Sequence, residues 1–194
     1  PKAPVYLDSP MALDATEIYL HHPEELQLTS DKQGLRLSVT PSSFIPVQGT
    51  EESMDLCKNP NPKIVISAAG MLTGGRVLHH LAAKLPDANS AVLFVGYQAE
   101  GTKGLLLKNG MTTIRIHKQP ISVKADIFSI ETLSAHADSD DLIQWLKNIQ
   151  KPPKMIFLNH GETQALQSMH HRIIHELKWK CEIAQPGQVY ILEK

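Results

Sequence analysis

The feature that most narrows what this chain can fold into is a set of short, unbroken apolar runs, each leading into or followed by residues at helical spacing. Lys63–Ser67 (KIVIS), Ala91–Val95 (AVLFV) and Met155–Leu158 (MIFL) are the clearest runs. Consecutive apolar residues make both faces of a strand apolar, so each run predicts a strand buried on both sides, as in parallel sheets. Val77, Leu78, Leu81 and Leu85 follow the first run at helical intervals, and Leu166, Met169, Ile173 and Leu177 follow the third. Leu142, Ile143, Leu146 and Ile149 mark another helix, capped near Asp138 or Ser139. At the start, Pro4–Leu7 is apolar, and Ser9-Pro10 supplies an N-cap and a first-turn proline for a helix ending before Pro23. Thr112–Ile116, Ile127–Leu133, Cys181–Ile183 and Val189–Leu192 are further candidate strands. Residues 29–62 are rich in proline and polar residues and predict loops around one short helix near Thr50–Cys57. Strands alternating with helices specify an α/β layered fold.

Composition bounds the rest. A chain of 194 residues forms one ordinary domain or two small ones, and 42% hydrophobic residues suffice for a core. Nineteen basic and twenty acidic residues give a net charge of −1. That excludes a protein gripping nucleic acid over its whole surface, while leaving room for a local basic site. The two cysteines, Cys57 and Cys181, lack CxxC spacing and read as idle or buried thiols in a reducing compartment. No apolar run approaches the ~18 residues of a membrane span, and no charged-then-apolar leader opens the chain. A soluble, cytoplasmic protein without membrane contact is expected. The chain begins with Pro1 rather than methionine, so an excised or processed segment is expected.

Chemistry has three candidate places. The first is Ser67-Ala68-Ala69-Gly70-Met71-Leu72-Thr73-Gly74-Gly75-Arg76, a strand–loop–helix junction. Glycines allow close backbone approach, a helix N-terminus presents unpaired N–H groups, and the Arg76 guanidinium suits phosphate. It is neither a Walker A loop nor GxGxxG, so no nucleotide cofactor is indicated. A tight turn that needs small residues for packing explains the same pattern equally well. The second place is Ser134-Ala135-His136-Ala137-Asp138, and the third Asn159-His160-Gly161-Glu162. Each histidine follows a strand and precedes a helix, where α/β folds collect functional groups. A lone loop histidine is more often merely satisfied than functional, and two in matching positions shift that balance. His79-His80 and His170-His171 are adjacent pairs inside helices, whose members do not face one ligand. They are set aside, as is His21-His22 before Pro23. A zinc site takes three or four protein ligands, and a two-metal site more. Two candidate histidines cannot assemble one.

PVYLDSPMA (Pro4–Ala12), VISAAGMLTGGRVLHHL (Val65–Leu81), VLFVGYQAEGTKG (Val92–Gly104), LSAHAD (Leu133–Asp138) and FLNHGE (Phe157–Glu162) together resemble, in the same order, the β-CASP metallo-β-lactamases. That family includes ribonuclease J and the endonuclease that cleaves messenger-RNA precursors before polyadenylation. The resemblance spans nearly the whole chain. It implies a β-CASP domain, a parallel sheet flanked by helices, over residues 1–124. Residues 125–194 would then be the returning C-terminal segment of a metallo-β-lactamase αββα fold. It implies that His160 ligates zinc and that His136 acts beside the metals as a proton donor or phosphate partner. Ser67, Gly70, Met71, Gly74, Gly75, Arg76 and Ser134 would bind the substrate, a single-stranded RNA.

The sequence departs from the family where metal binding begins. The HxHxDH motif, the next histidine, the bridging aspartate and the motif A acid have no counterpart in this chain. Leu105-Leu106 stand where relatives commonly place an arginine after the GTxG segment. The expectation is therefore part of a zinc-dependent ribonuclease with two zinc ions in the full-length protein and none on this chain alone. Its missing N-terminal half would be its first partner, and a homodimer is allowed. Two rivals are a non-catalytic RNA-binding or scaffolding β-CASP paralogue and a small-molecule hydrolase of the superfamily.

Overall fold

The computed structural model describes residues 3–22, 43–133 and 136–191. The chain divides into two compact units, Pro1–Ser134 and Ala135–Lys194, each described by itself.

In the first unit, β1 (Val5–Leu7) is the middle strand of a parallel sheet, between β2 (Phe44–Pro46) and β3 (Ile64–Ile66). Tyr6 is in register with Ile45 on one side and Val65 on the other. Helix α1 (Pro10–His21) starts as its sequence dictates, with the Ser9 hydroxyl accepting from the Ala12 N–H at 3.3 Å and Pro10 in the first turn. Helix α2 (Thr50–Lys58) leads to β3, and α3 (Val77–Lys84) follows β3. Strand β4 (Ala91–Val95) pairs in parallel with β7 (Asp126–Ile130), Leu93 beside Phe128. Between them lie α4 (Lys103–Lys108), capped by the Thr102 hydroxyl, and the antiparallel hairpin of β5 (Thr113–Ile116) and β6 (Gln119–Ser122). The core gathers Leu72, Leu78, Leu81, Leu85, Phe94, Leu107, Ile114 and Ile116.

In the second unit, α5 (Ser139–Lys147) opens with a complete capping box: Asp138 accepts from the Asp141 N–H, and the Asp141 carboxylate accepts from the Asp138 N–H. Strand β8 (Ile156–Leu158) pairs in parallel with β9 (Cys181–Ile183) across α6 (Thr163–Arg172). Helix α6 runs on into a π-helical turn, Ile173–Leu177. Ile143, Leu146 and Ile173 form the core of this unit.

Four expectations are corrected. Within residues 29–62, expected to be loops around one helix, Phe44–Pro46 is a strand paired in parallel with β1; residues 29–42 lie outside the described residues. The runs KIVIS and AVLFV are strands, but with one face packed. Ile64 and Ile66 are 52% and 48% exposed, Leu93 and Val95 53% and 58%. Strand alternation sends Phe94 into the core and its neighbours outward, and a continuous apolar run cannot say whether its second face is covered. In MIFL, Phe157 is likewise exposed. Residues 189–191 form no strand, and Val189 and Ile191 are almost fully exposed; Leu192 lies outside the described residues. This segment is held by one side chain instead of a ladder. The Tyr190 ring packs 4.3 Å from Phe157, and its hydroxyl donates to Glu182 at 3.0 Å. No helix among the described residues is long and apolar enough to cross a membrane.

Candidate functional site

The Ser67–Arg76 loop leaves the C-terminal end of β3, the position where open α/β sheets collect functional groups. Two bonds tie its root to the end of β1: the Asp8 N–H donates to the Ile66 carbonyl at 2.8 Å, and the Ser67 hydroxyl donates to the Asp8 carbonyl at 3.0 Å. Ala69 (φ +68°), Leu72 (φ +58°) and Gly75 (φ +79°) are left-handed. For the two non-glycine residues this costs on the order of 1–3 kcal/mol each and persists only where surroundings enforce it. Leu72 is so enforced, since its side chain is buried in the core. The loop is a tensioned turn pinned at its centre.

Arg76 is the residue before α3, and its guanidinium is turned toward its own fold. Nη1 donates to Asp8 Oδ1 at 2.9 Å and to the Val47 carbonyl at 3.1 Å, and Nη2 donates to the Gln48 carbonyl at 2.9 Å. The second Asp8 oxygen accepts from the Ser53 hydroxyl and from His80 Nε2, each at 2.6 Å. On its other side, His80 Nδ1 meets the Cys57 thiol at 3.3 Å. Asp8, Ser53, Cys57 and His80 are all buried. Thus α2, α3 and Arg76 converge on one carboxylate at the end of β1, and Arg76 ties the loop before α2 to it. The guanidinium that the sequence offers to a phosphate is largely committed to this hub.

Burial raises the Asp8 carboxyl, but the hydrogen bonds from Ser53, His80 and Arg76 outweigh it and leave its pKa lowered from the ordinary 3.8. Burial, and then the Asp8 charge, raise the Cys57 thiol. A protonated thiol donates to His80 Nδ1, which leaves Nε2–H to donate to Asp8. A Cys–His–Asp chain invites comparison with a nucleophile and its base, yet a buried thiol with a raised pKa is an inert one. The cluster is structural chemistry. A carboxylate with a lowered folded pKa adds stability that is present above its unfolded pKa and lost as pH falls through the folded one. Acid melts of the protein and of Asp8→Asn should therefore differ in stability above pH 3.8 and converge below it. A gap that stays constant down to pH 2 would rule out a titrating Asp8.

In the second unit, His160 stands just past the C-terminal end of β8 with its side chain exposed and its backbone left-handed, φ +60°. Its N–H donates to the Asn159 side-chain oxygen at 2.8 Å. Next to it, a Cβ on Gly161 would meet the Leu166 side chain at 3.1 Å, so a larger residue would need that side chain to shift. His136 is exposed, two residues before the Asp138 cap of α5. Ser134 lies outside the described residues. Among the described residues, no group of three His, Cys, Asp or Glu lies together to hold a metal ion.

Sequence reasoning missed the Asp8 hub. Its members are separated by up to 72 positions, and the only local sign is an aspartate placed between an apolar run and a helix cap. It also missed His175. Treating His170-His171 as an adjacent pair overlooks the residue one turn on, whose ring lies 4.0 Å from that of His171. HxxxH spacing is the signal. Two imidazoles still fall short of the three or four ligands of a zinc site.

Comparison with known proteins agrees with the architecture. Residues 1–107 match the Beta-Casp domain, and residues 120–184 match the Zn-dependent metallo-hydrolase RNA specificity domain. The chain is 35% identical to ribonuclease TTHA0252 of Thermus thermophilus over 175 residues, 87% of this chain and 39% of that protein. It is 30% identical to transcription termination factor FttA of Methanosarcina mazei, over 92% of this chain and 29% of that protein. FttA of Methanocaldococcus jannaschii is 33% identical over 82% of this chain and 26% of its own length. The chain thus spans well under half the length of these relatives. With both domain matches in sequence order and the α/β architecture they call for, the chain belongs to the β-CASP family of the metallo-β-lactamase superfamily.

Proposed function

We propose that this chain is part of a longer zinc-dependent ribonuclease of the cytoplasm, hydrolysing phosphodiester bonds of single-stranded RNA in processing or decay. The observation that carries this reading is His160. A histidine held left-handed and exposed at the C-terminal end of a strand is strained in the manner of functional residues. It lies in the segment matched by the RNA specificity domain, and the similarity to ribonuclease TTHA0252 supports the same reaction class.

Zinc is the metal this family description implies. The described residues offer His160 and no three-residue cluster, so they do not by themselves fit the ion. The other ligands would come from chain beyond this sequence. What this chain's residues do is bind the strand and move a proton. His136 would give a proton to the leaving oxygen. Ser67, Gly70, Met71, Gly74, Gly75 and Ser134 would line the path of the RNA backbone, and Arg76 would set the shape of that surface. In this reading residues 1–124 serve the β-CASP domain and 125–194 complete the metallo-β-lactamase domain.

The test is to replace His160 by alanine in the full-length protein. RNA cleavage should disappear together with zinc, while the fold persists. Retained zinc and retained cleavage would overturn the proposal. The 194-residue chain alone is expected to hold no stoichiometric zinc, because one ligand cannot make a tetrahedral site. One or two equivalents remaining after dialysis against a chelator, by elemental analysis, would contradict this.

A further inference from the structure

Gln98 stands in the turn after β4, and its side chain reaches the Gly70 loop after β3, so two strand ends meet there. The residue is 4% exposed. Its Oε1 is the one buried side-chain oxygen or nitrogen without a hydrogen-bond partner among the described residues. This oxygen lies where a Cβ on Gly104 would be, 1.8 Å from that position, so only glycine admits it. Its Nε2 lies 3.9 Å from the place a Cβ on Gly70 would occupy. Gly104 is locked to the same loop, its N–H donating to the Met71 carbonyl at 3.4 Å and its own Cβ position 3.2 Å from the Gly70 carbonyl.

A buried amide with an unpaired oxygen lowers stability relative to an apolar side chain of the same shape. Packing therefore does not account for glutamine here. Two glycines open space beside it, one for its oxygen and one near its nitrogen. Groups that break a local rule of this kind concentrate at functional sites, and ligands of open α/β sheets bind outside the carboxyl ends of the strands. The guanidinium nearest this loop is committed to Asp8, which leaves the Gln98 amide as a donor seated beside Gly70.

We infer that Gln98 is a substrate-positioning residue whose Nε2 donates to an oxygen of the RNA backbone, phosphate or 2′-hydroxyl, lying against Gly70. This rests on the RNA-binding reading of the loop. As a neutral donor it would hold the strand's position without adding to the count of displaced counterions.

The experiment uses the full-length protein, made inactive by His136→Ala, with fluorescent single-stranded RNA and its 2′-deoxy equivalent. Gln98→Met keeps length and removes both polar atoms. It should weaken RNA binding about 10-fold, leave the slope of affinity against salt unchanged, and leave the melting temperature equal or higher. Gly104→Ala, which forces the amide aside, should weaken binding in the same direction. An equal loss on RNA and DNA identifies the phosphate as the partner, and a loss confined to RNA identifies the 2′-hydroxyl. Unchanged RNA affinity in both variants would overturn the inference while leaving RNA binding intact. So would a Gln98→Met protein that melts markedly earlier or fails to fold, since the amide would then be structural. A parent protein that binds no RNA would overturn the functional reading and this inference together.

Discussion

Replacing Asp8 by alanine is expected to cost about 3–5 kcal/mol of unfolding free energy, the usual penalty for removing one partner of a buried charge pair. The carboxylate is fully buried and joins Arg76, His80 and Ser53. Without it, a guanidinium, an imidazole and a hydroxyl lose their acceptor at once. Arg76→Ala should cost less, because that side chain is 19% exposed and its charge can turn to water. The double variant should fall short of the sum of the two, with a coupling of about 0.5–3 kcal/mol. Urea unfolding of the four proteins measures this. An Asp8→Ala loss below about 1 kcal/mol would mean that the hub does not hold the unit together. The same Arg76 variant settles its other role. If Arg76 also touched a phosphate, the salt dependence of RNA binding by the full-length protein would flatten by a slope of about 0.7. The inward geometry predicts no change in slope on the folded fraction.

The α/β alternation was legible because it needs only local signals: apolar runs for β3, β4 and β8, a Ser-Pro start for α1, and an aspartate cap for α5. The β5–β6 hairpin was half visible. Its turn is His117-Lys118, both left-handed at φ +49° and +67°, a two-residue turn that ordinarily calls for Asn-Gly. Chemistry absent from the turn hid the second strand, Gln119–Ser122, and its Pro120 argued further against a strand. Which strand faces are covered was not legible at all, since Leu93 and Phe94 are equally apolar and only one is buried.

The placement of the candidate residues in the fold was legible in the same measure. The His136 and His160 positions follow from strand-end logic and from family resemblance. The fate of Arg76 does not, because an arginine in the first turn of a helix reads identically whether it faces a phosphate or a carboxylate. The partner that decided it, Asp8, lies 68 positions away. Gln98 was invisible for a related reason. An amide in a polar turn is unremarked until its burial and the missing Cβ of Gly104 are seen together.

For His136, alanine substitution in the full-length protein is expected to lower RNA turnover by about 10²–10⁴-fold, the range for loss of a general acid. Zinc content should stay the same. Two features separate this role from that of His160. His136 precedes the capping box of α5, at a helix start, while His160 sits in a strained backbone position at a strand end. A proton donor needs reach to the leaving oxygen, and the His136 imidazole is exposed just before a helix. The ligand role proposed for His160 rests on its strained, left-handed backbone at a strand end. Single-turnover cleavage and elemental analysis on one preparation test the division. Zinc lost together with activity would make His136 a ligand. Unchanged turnover would remove it from the chemistry altogether. Loss of turnover with full zinc leaves proton transfer as its part in the reaction, with the alkaline limb of the pH–rate profile altered in the variant.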